Sequence, residues 1–253
     1  MPHERQFTSA EEKERFVRHV FDSIAPSYDG MNSLLSFGVH KRWRKTMFKM
    51  LNVQPGMHVL DVACGTGDLA LALSRVVGAQ GSVVGLDFSP RMLAIAKEKE
   101  RRIRDKGDAL SGVTWVEGSA LNLPFPDGSF DVATIGFALR NVPDIEKTLS
   151  EMQRVVRPGG WVASLELSKP VIPGFKTLYY VYFEHVLPYL GKIFARQYES
   201  YRWLPESLKS FPDHRELGQL FEKVGFRHVR IRLLTGGIAA IHIGQKPEDG
   251  GRV

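Results

Sequence analysis

The chain has 253 residues, and its 34 Lys and Arg outnumber its 28 Asp and Glu, which gives a formal net charge of +6. The hydrophobic fraction of 43% is that of a globular protein and excludes a largely disordered one. The single Cys excludes a disulfide framework or a zinc site built on several thiolates. Without a signal peptide or an apolar run of 18 residues, we expect a cytoplasmic protein that does not span a membrane.

Strand and helix patterns alternate along the first two thirds of the chain. Two helices are predicted first, at 9–25 and 39–51. Short apolar runs then predict strands at 57–62, 82–87, 113–117, 130–135 and 161–167. Helical spacing predicts helices between them at 68–77, 91–106 and 144–156. This alternation is typical of a parallel sheet covered by helices.

The composition changes after residue 167. Ten aromatic residues fall within 175–203, including six of the seven tyrosines. We interpret 168–215 as a helical, aromatic-rich substrate insertion. Two strand patterns at 227–234 and 239–245 are separated by a short TGG turn, which predicts a closing hairpin. The expected organisation is one domain over 1–253: a helical cap (1–52), a βα core (53–167), the insertion (168–215), and a C-terminal helix with the hairpin (216–247).

A glycine loop, DVACGTG at 61–67, follows the first predicted strand. Glycines at a strand-to-helix turn let the backbone approach a ligand closely. Asp87 ends the next predicted strand, where a carboxylate can accept hydrogen bonds from both hydroxyls of a ribose. The pair predicts a nucleoside-containing cofactor. Because Gly65-x-Gly67-x-x-Ala70 also satisfies a relaxed dinucleotide fingerprint, the glycines alone leave nicotinamide cofactors open.

Three further features favour S-adenosylmethionine. They are Asp61 on the strand before the glycines, EGSAxxLPF at 117–125, and RPGG at 157–160. With the closing hairpin, they resemble the class I methyltransferase fold. That resemblance implies an α/β, Rossmann-like, mostly parallel sheet of seven strands with an antiparallel C-terminal hairpin and helices on both faces.

Longer motifs narrow the resemblance to one family. They are FDxIAxxYDxMN at 21–32, LSxGxHxxWR at 35–44, FALRNV at 137–142 and TGGIAAIH at 235–242. In this order they resemble the quinone C-methyltransferase family of menaquinone and ubiquinone biosynthesis, over nearly the whole chain. The family implies S-adenosylmethionine-dependent methylation of a ring carbon of a polyprenyl hydroquinone, without a metal.

The acceptor is less closely indicated than the reaction. The last motif resembles menaquinone enzymes of Gram-positive bacteria, which favours conversion of demethylmenaquinol to menaquinol, the last step of menaquinone biosynthesis. A 2-polyprenyl-6-methoxy-1,4-benzoquinol, or another small aromatic or lipid acceptor, stays open because acceptor choice depends on the variable insertion.

Seven residues are the expected cofactor contacts: Asp61, Gly65, Thr66, Gly67, Asp87, Ser119 and Ala120. By the matched family motifs, Thr66 would bind in the glycine loop, Asp87 at the ribose, and Ser119 with Ala120 beside the adenine. Ser119 departs from the family pattern, which usually has Asp or Asn at this position.

Three residues are the expected catalytic groups. A ring carbon becomes nucleophilic when the adjacent hydroxyl loses its proton, so the site needs a group that stabilises a phenolate. Arg140 and Asn141 suit that role, and the permanent charge of Arg makes it a poor base. Tyr28 would close over the cofactor. The residues do not identify the general base.

The positive charge and the aromatic insertion predict a peripheral contact with an anionic membrane, at the inner face of the cell membrane. Basic residues within 97–106 alternate with acidic ones, which is typical of a solvated helix face. Because the basic residues do not line one element with interleaved aromatics, a nucleic-acid partner is not expected. A homodimer stays open.

Overall fold

The computed structural model describes residues 7–36, 38–107, 110–171 and 198–248. Its strands are β1 (His58–Val62), β2 (Ser82–Asp87), β3 (Val113–Glu117), β4 (Phe130–Gly136), β5 (Val156–Leu167), β6 (Arg227–Leu234) and β7 (Ala239–Gln245). They form one sheet in the order β3-β2-β1-β4-β5-β7-β6. Strands β1 to β5 pair in parallel, whereas β7 is antiparallel to both β5 and β6. The predicted fold class and its closing hairpin are confirmed.

Eight helices are described. They are α1 (Ala10–Ile24), α2 (Tyr28–Leu35), α3 (His40–Leu51), α4 (Asp68–Val77), α5 (Pro90–Asp105), α6 (Ile145–Val155), α7 (Tyr198–Lys209) and α8 (His214–Val224). Side-chain caps set where four of them begin: Ser9, Ser89, Asp144 and Asp213 each accept a hydrogen bond from a backbone N–H in the first turn of α1, α5, α6 and α8.

The sheet is covered on both faces. On one face, α3 and α4 bury residues such as Met47 and Leu73 against β1 and β5. On the other, α6 and α8 bury Leu149, Met152 and Phe221. Apolar side chains from both faces therefore enclose the central strands, which leaves the ends of the strands as the places where polar groups can meet a ligand.

Two elements differ from the sequence prediction. Helix α2 was not predicted; a short 3-10 turn containing Pro26 separates it from α1. Strand β5 begins at Val156 rather than at residue 161, so the RPGG motif lies within the strand. Residues 157–160 bulge opposite the single residue Asp131, because Phe130 pairs with Val156 and Val132 with Trp161.

Much of the predicted insertion, 172–197, lies outside the described residues. Its described C-terminal part contains α7, which agrees with the expected helix. Trp203 on α7 packs edge-on against the rings of Phe7 and Phe16, with centroid distances of 5.9 and 5.1 Å. This end of the insertion therefore docks on the N-terminal segment. None of the helices in the described ranges is long and apolar enough to cross a bilayer.

Candidate active site

A cleft opens at the carboxyl ends of β1, β2 and β4. The chain runs from β1 to β2 on one side and later returns to β4 on the other, so β1 is the switch point at which such sheets bind ligands. The cleft encloses about 1100 Å³ outside the protein atoms, part of it open to solvent. Helices α1 and α2 contribute to its walls, together with the loops that follow β1, β3 and β4.

The cleft brings most of the predicted site residues together. Its lining includes Asp61, Gly65, Thr66, Asp87, Ser119 and Ala120 of the predicted cofactor contacts. It also includes Tyr28 and Asn141 of the predicted catalytic residues. Gly67 and Arg140 do not line it.

The glycine loop is shaped by the packing of Trp115. Gly65 and Gly67 have φ values of +54° and +78°, in the left-handed region that favours glycine. A Cβ atom at Gly67 would lie 2.4 Å from the ring of Trp115, and one at Gly85 on β2 would lie 2.6 Å from the same ring. The indole nitrogen of Trp115 donates to Glu100 at 2.7 Å, which fixes the ring. Gly67 therefore acts through close packing of the loop.

Asp87 at the end of β2 holds the glycine loop against the next helix. Its Oδ2 accepts from the backbone N–H of Gly65 at 2.7 Å, and its Oδ1 accepts from that of Ser89 at 2.9 Å. The side chain is buried, and burial raises its pKa to about 6 although both N–H groups oppose the shift. Each oxygen retains lone-pair capacity for a further donor, as a ribose would supply.

Asp61 on β1 has one carboxylate oxygen without a partner. Its Oδ1 accepts from the Thr134 hydroxyl at 2.9 Å, and its buried Oδ2 has no hydrogen-bond partner in the described part of the chain. Burial raises the pKa of Asp61 to about 7. Because an unpaired buried carboxylate oxygen is costly, this atom is suited to receive a cationic donor from a ligand.

Lys99 joins the N-terminal helices to the glycine loop. Sequence reasoning did not identify this residue. Its Nζ lies 2.5 Å from Asp29 Oδ2 on α2, 2.6 Å from Asp68 Oδ1 on α4, and 3.2 Å from the Thr66 hydroxyl oxygen. The Thr66 hydroxyl donates to Asp29 Oδ1 at 2.6 Å, and Arg44 on α3 reaches Asp68 at 2.9 Å. We call these five residues the cap latch. It links the N-terminal helices to the glycine loop.

The expected solvated face of α5 therefore has one exception. Arg101 and Arg102 form exposed pairs with Glu98, as the alternating charges indicate. Lys99 is rotated away from this face and turns toward the cleft. Its charge did not distinguish Lys99 from the other basic residues of α5. Its angular position on the helix was the signal that could have identified it.

The loop after β3 forms the wall beside β2. Ser119 and Ala120 both line the cleft, and the Ser119 hydroxyl oxygen accepts from the backbone N–H of Leu121 at 3.3 Å. Gly118 donates its N–H to the carbonyl of Asp87 at 3.0 Å, so this loop and the end of β2 are held together. The two predicted adenine contacts are placed next to the predicted ribose carboxylate.

Arg140 is held behind the cleft by a buried ion pair. Its Nη1 lies 2.5 Å from Glu166 Oε1 on β5 and donates to the Phe137 carbonyl at 2.7 Å. Both side chains are almost fully buried, and Arg140 Nε has no hydrogen-bond partner among the described residues. In this arrangement the guanidinium supports the turn that carries Asn141. Glu166 is a second residue that sequence reasoning missed, because it reads as part of an apolar strand.

Tyr28 begins α2 and faces the cleft. Its ring packs edge-on against Phe21 with a centroid distance of 5.9 Å. Burial raises the pKa of the Tyr28 phenol, so the group stays protonated at neutral pH. A side-chain hydrogen bond with Asn32 opposes this shift without reversing it, so the phenol is a neutral donor for a ligand oxygen.

Asn141 lies at the opposite side of the cleft from Asp87. Its Oδ1 accepts from the indole nitrogen of Trp203 at 2.9 Å, while its buried Nδ2 has no partner in the described ranges. The N–H of Asn141 donates to the Ala138 carbonyl at 2.9 Å, which closes the turn after β4. The side-chain NH₂ group, with its two N–H donors, is thus left unpaired in a residue that lines the cleft.

The described residues contain no group of three or more His, Cys, Asp or Glu side chains arranged to hold a metal ion. They do contain two buried carboxyls at the ends of β1 and β2, one with a free oxygen, beside backbone that glycine keeps accessible. These carboxyls and the accessible backbone suit a nucleoside that also carries positive charge.

Comparisons with known proteins agree with this chemistry. The model of a family described as the ubiE/COQ5 methyltransferase family matches residues 8–246. A demethylmenaquinone methyltransferase of Anoxybacillus flavithermus is 49% identical over 236 residues, which cover 93% of this chain and 98% of that protein. One of Bacillus cereus is 48% identical over 237 residues, covering 94% and 98%.

A solved structure shares the fold at lower identity. It is the crystal structure of a SAM-dependent methyltransferase from Aquifex aeolicus, with a TM-score of 0.58 and 23% identity, over 80% of this chain and 88% of that one. This likeness supports the sheet topology described above.

Proposed function

The chain belongs to the ubiE/COQ5 methyltransferase family, and from that premise we propose that it transfers a methyl group from S-adenosylmethionine to a ring carbon of demethylmenaquinol. The observation that carries the proposal is the near full-length match to demethylmenaquinone methyltransferases at 48–49% identity. The product is menaquinol, so the reaction is the last step of menaquinone biosynthesis.

The cleft fits the proposed cofactor. Asp61 Oδ2 would accept from the α-ammonium group, and Asp87 from the ribose hydroxyls. Ser119 and Ala120 would border the adenine. The glycine loop would let the backbone approach the part of the cofactor between the α-ammonium group and the ribose. When bound, S-adenosylmethionine supplies a methyl group that its sulfonium has already activated, so this chemistry requires no metal.

The chain's own residues then orient the acceptor and stabilise its charge. Asn141 Nδ2 and the Tyr28 phenol are neutral donors for the oxygen that becomes a phenolate. Arg140 does not line the cleft. Through its ion pair with Glu166, it holds the turn that carries Asn141. Its guanidinium stays charged and does not serve as the base. The main contribution that we assign to the protein is to position the methyl group and the ring carbon next to each other in the cleft.

We also propose a cytoplasmic location with peripheral contact to an anionic membrane. A polyprenyl acceptor resides in a bilayer, and exposed basic residues of α3 and β6 lie on one side of the molecule. Arg230 of β6 donates to the Met50 carbonyl of α3 at 3.2 Å, which joins the two elements. The homodimer stays a prediction.

The test is methyl transfer from labelled S-adenosylmethionine to reduced demethylmenaquinone, with a 2-polyprenyl-6-methoxy-1,4-benzoquinol in parallel. We expect methylated naphthoquinol, lower turnover of the benzoquinol, and loss of both in the Asp61→Asn variant. Transfer to the benzoquinol alone would replace the proposed acceptor. Transfer to neither, by a protein that still binds the cofactor, would overturn the proposal.

A further inference from the structure

Trp203 fixes the orientation of the Asn141 side-chain amide. The indole nitrogen can only donate a hydrogen bond, so its partner at 2.9 Å must be the amide oxygen and not the amide nitrogen. An Asn side chain is otherwise free to exchange these two atoms by a half-turn. The bond from Trp203 removes that freedom.

The consequence is an unpaired amide nitrogen of fixed orientation on a residue that lines the cleft. Asn141 is 5% exposed and lines the cleft, and its Nδ2 has no partner among the residues that the structure describes. Leaving a buried N–H group unpaired is unfavourable, so this donor is suited to an acceptor atom supplied by a ligand. It lies after β4, on the far side of β1 from Asp87 and Ser119, and therefore in the half of the cleft left for the methyl acceptor.

The surroundings hold both partners in place. Trp203 is 7% exposed and packs with Phe16 of α1 and with Phe7, which precedes α1. On the other side, Lys13 of α1 donates to the Val142 carbonyl at 2.7 Å, directly after Asn141. Helix α1 thus contacts both the indole and the turn that bears the amide.

We propose that Trp203 is a positioning residue for methyl transfer, which keeps the Asn141 N–H group directed at an oxygen of the hydroquinone. This inference rests on the proposed function and adds a residue to it. A fixed N–H donor stabilises the negative charge that develops on the ring oxygen. A half-turn of the amide would present its oxygen instead and repel that charge.

The first test is Trp203→Phe, which keeps an aromatic ring in the cluster and removes only the indole donor. We expect kcat for the naphthoquinol to fall about tenfold, with KM for the quinol changed less than kcat and the S-adenosylmethionine Kd unchanged. Retained cofactor binding shows that the variant folds. The matched control is Phe7→Leu, which changes the packing against Trp203 but keeps the indole N–H that bonds Asn141, and should keep kcat within about twofold of the wild type.

The second test reads the hydrogen bond without any substrate. The chain has four Trp, so an ¹⁵N spectrum of the full-length protein shows four indole resonances, and the one lost in Trp203→Phe belongs to Trp203. The Asn141→Ala variant should move that resonance and leave the other three in place. An indole resonance that ignores Asn141→Ala, or a Trp203→Phe variant with wild-type kcat, would overturn the inference.

The two failures can be told apart. If the wild-type protein binds S-adenosylmethionine and does not methylate the quinol, the proposed function and the assigned ligand are both wrong. If methylation occurs and the indole resonance shows no coupling to Asn141, only the role of Trp203 is wrong.

Discussion

Burial gives the two carboxyls at the cleft unusually weak acidity. The pKa of Asp61 is raised to about 7 and that of Asp87 to about 6, in both cases mainly because the charged form is removed from water. A carboxyl with a raised pKa carries a proton in the folded protein that it lacks in the unfolded chain. The contribution of these two carboxyls to the free energy of unfolding therefore decreases as the pH rises from about 4 to about 7.

The affinity for the cofactor depends on pH in the opposite direction, because it increases as the pH rises. The ligand is cationic and requires Asp61 in its charged form, so protons compete with it below about pH 7. We expect the S-adenosylmethionine Kd to rise as the pH falls from 7.5 to 5.5, by at most about tenfold per pH unit for a single proton. Calorimetry across this range measures the profile. The Asp61→Asn variant should bind weakly and lose the pH dependence near pH 7, keeping only what Asp87 contributes near pH 6. A wild-type profile that is flat near pH 7 would remove Asp61 from the cofactor site.

The buried ion pair between Arg140 and Glu166 leads to a prediction about the stability of the fold. Removing one partner of a buried ion pair leaves the other charge uncompensated, which costs about 3–5 kcal/mol. Glu166→Ala should therefore lower the free energy of unfolding by that amount, as measured by urea denaturation. Glu98→Ala, which breaks exposed pairs on α5, should leave the unfolding midpoint nearly unchanged. A loss below about 1 kcal/mol in Glu166→Ala would show that the pair is not structurally important.

At the scale of elements, the cap latch ties α2 and α3 to the glycine loop. Lys99 supplies all three of its N–H donors to it, and Asp68 is shared between Lys99 and Arg44. The partners come from four separate segments of the chain. The position of the cap and the shape of the cofactor loop should therefore depend on one another.

Lys99→Met keeps the length of the side chain and removes its charge. We expect the S-adenosylmethionine Kd to rise about tenfold, because Asp29 and Thr66 lose the donor that holds them beside the loop. Trypsin should also cut the N-terminal helices faster in this variant. Lys97→Met, two residues earlier on the exposed face of α5, is the matched control. Equal behaviour of the two variants would show that the latch does not act on the loop.

The sequence predicts what depends on local pattern. The strands, the glycine loop and the position of Asp87 at the end of β2 follow from apolar spacing and from turn residues. The bond from the Gly65 N–H to Asp87 was not predicted. The sequence does not predict partners that only the fold brings together. Lys99 reads as one charge in a solvated run, and Glu166 as one polar residue in an apolar strand, since their partners lie 70 and 26 residues away along the chain.

At the scale of the whole molecule, charge is distributed unevenly across the sheet. Exposed basic residues of α3 (Lys41, Arg42, Lys45 and Lys49) and of β6 (Arg227, Arg230 and Arg232) lie toward one edge. Helix α5 lies toward the opposite edge, where its basic residues alternate with acidic ones. The edge that contains β6 is the better candidate for contact with an anionic surface.

Vesicle binding tests this assignment. Each Lys or Arg near an anionic surface contributes roughly 1 kcal/mol, so Lys41, Arg42 and Lys45 changed together to Ser should weaken binding to anionic vesicles by about 100-fold. The same change at Lys97 and Arg102 of α5 and at Lys106, which directly follows it, removes equal charge from the other edge and should matter little. Sedimentation at low and high salt measures both, and the absence of wild-type binding at low salt would contradict membrane contact.

The ring of Trp115 also constrains how this sequence can diverge. It occupies the space that a side chain at Gly85 would need, and it packs equally closely on Gly67. A lineage can therefore acquire Ala at position 85 only after position 115 has become smaller, because the reverse order passes through a clashing intermediate. The order of substitutions, and not only their identity, is thus set by one aromatic ring beneath the glycine loop.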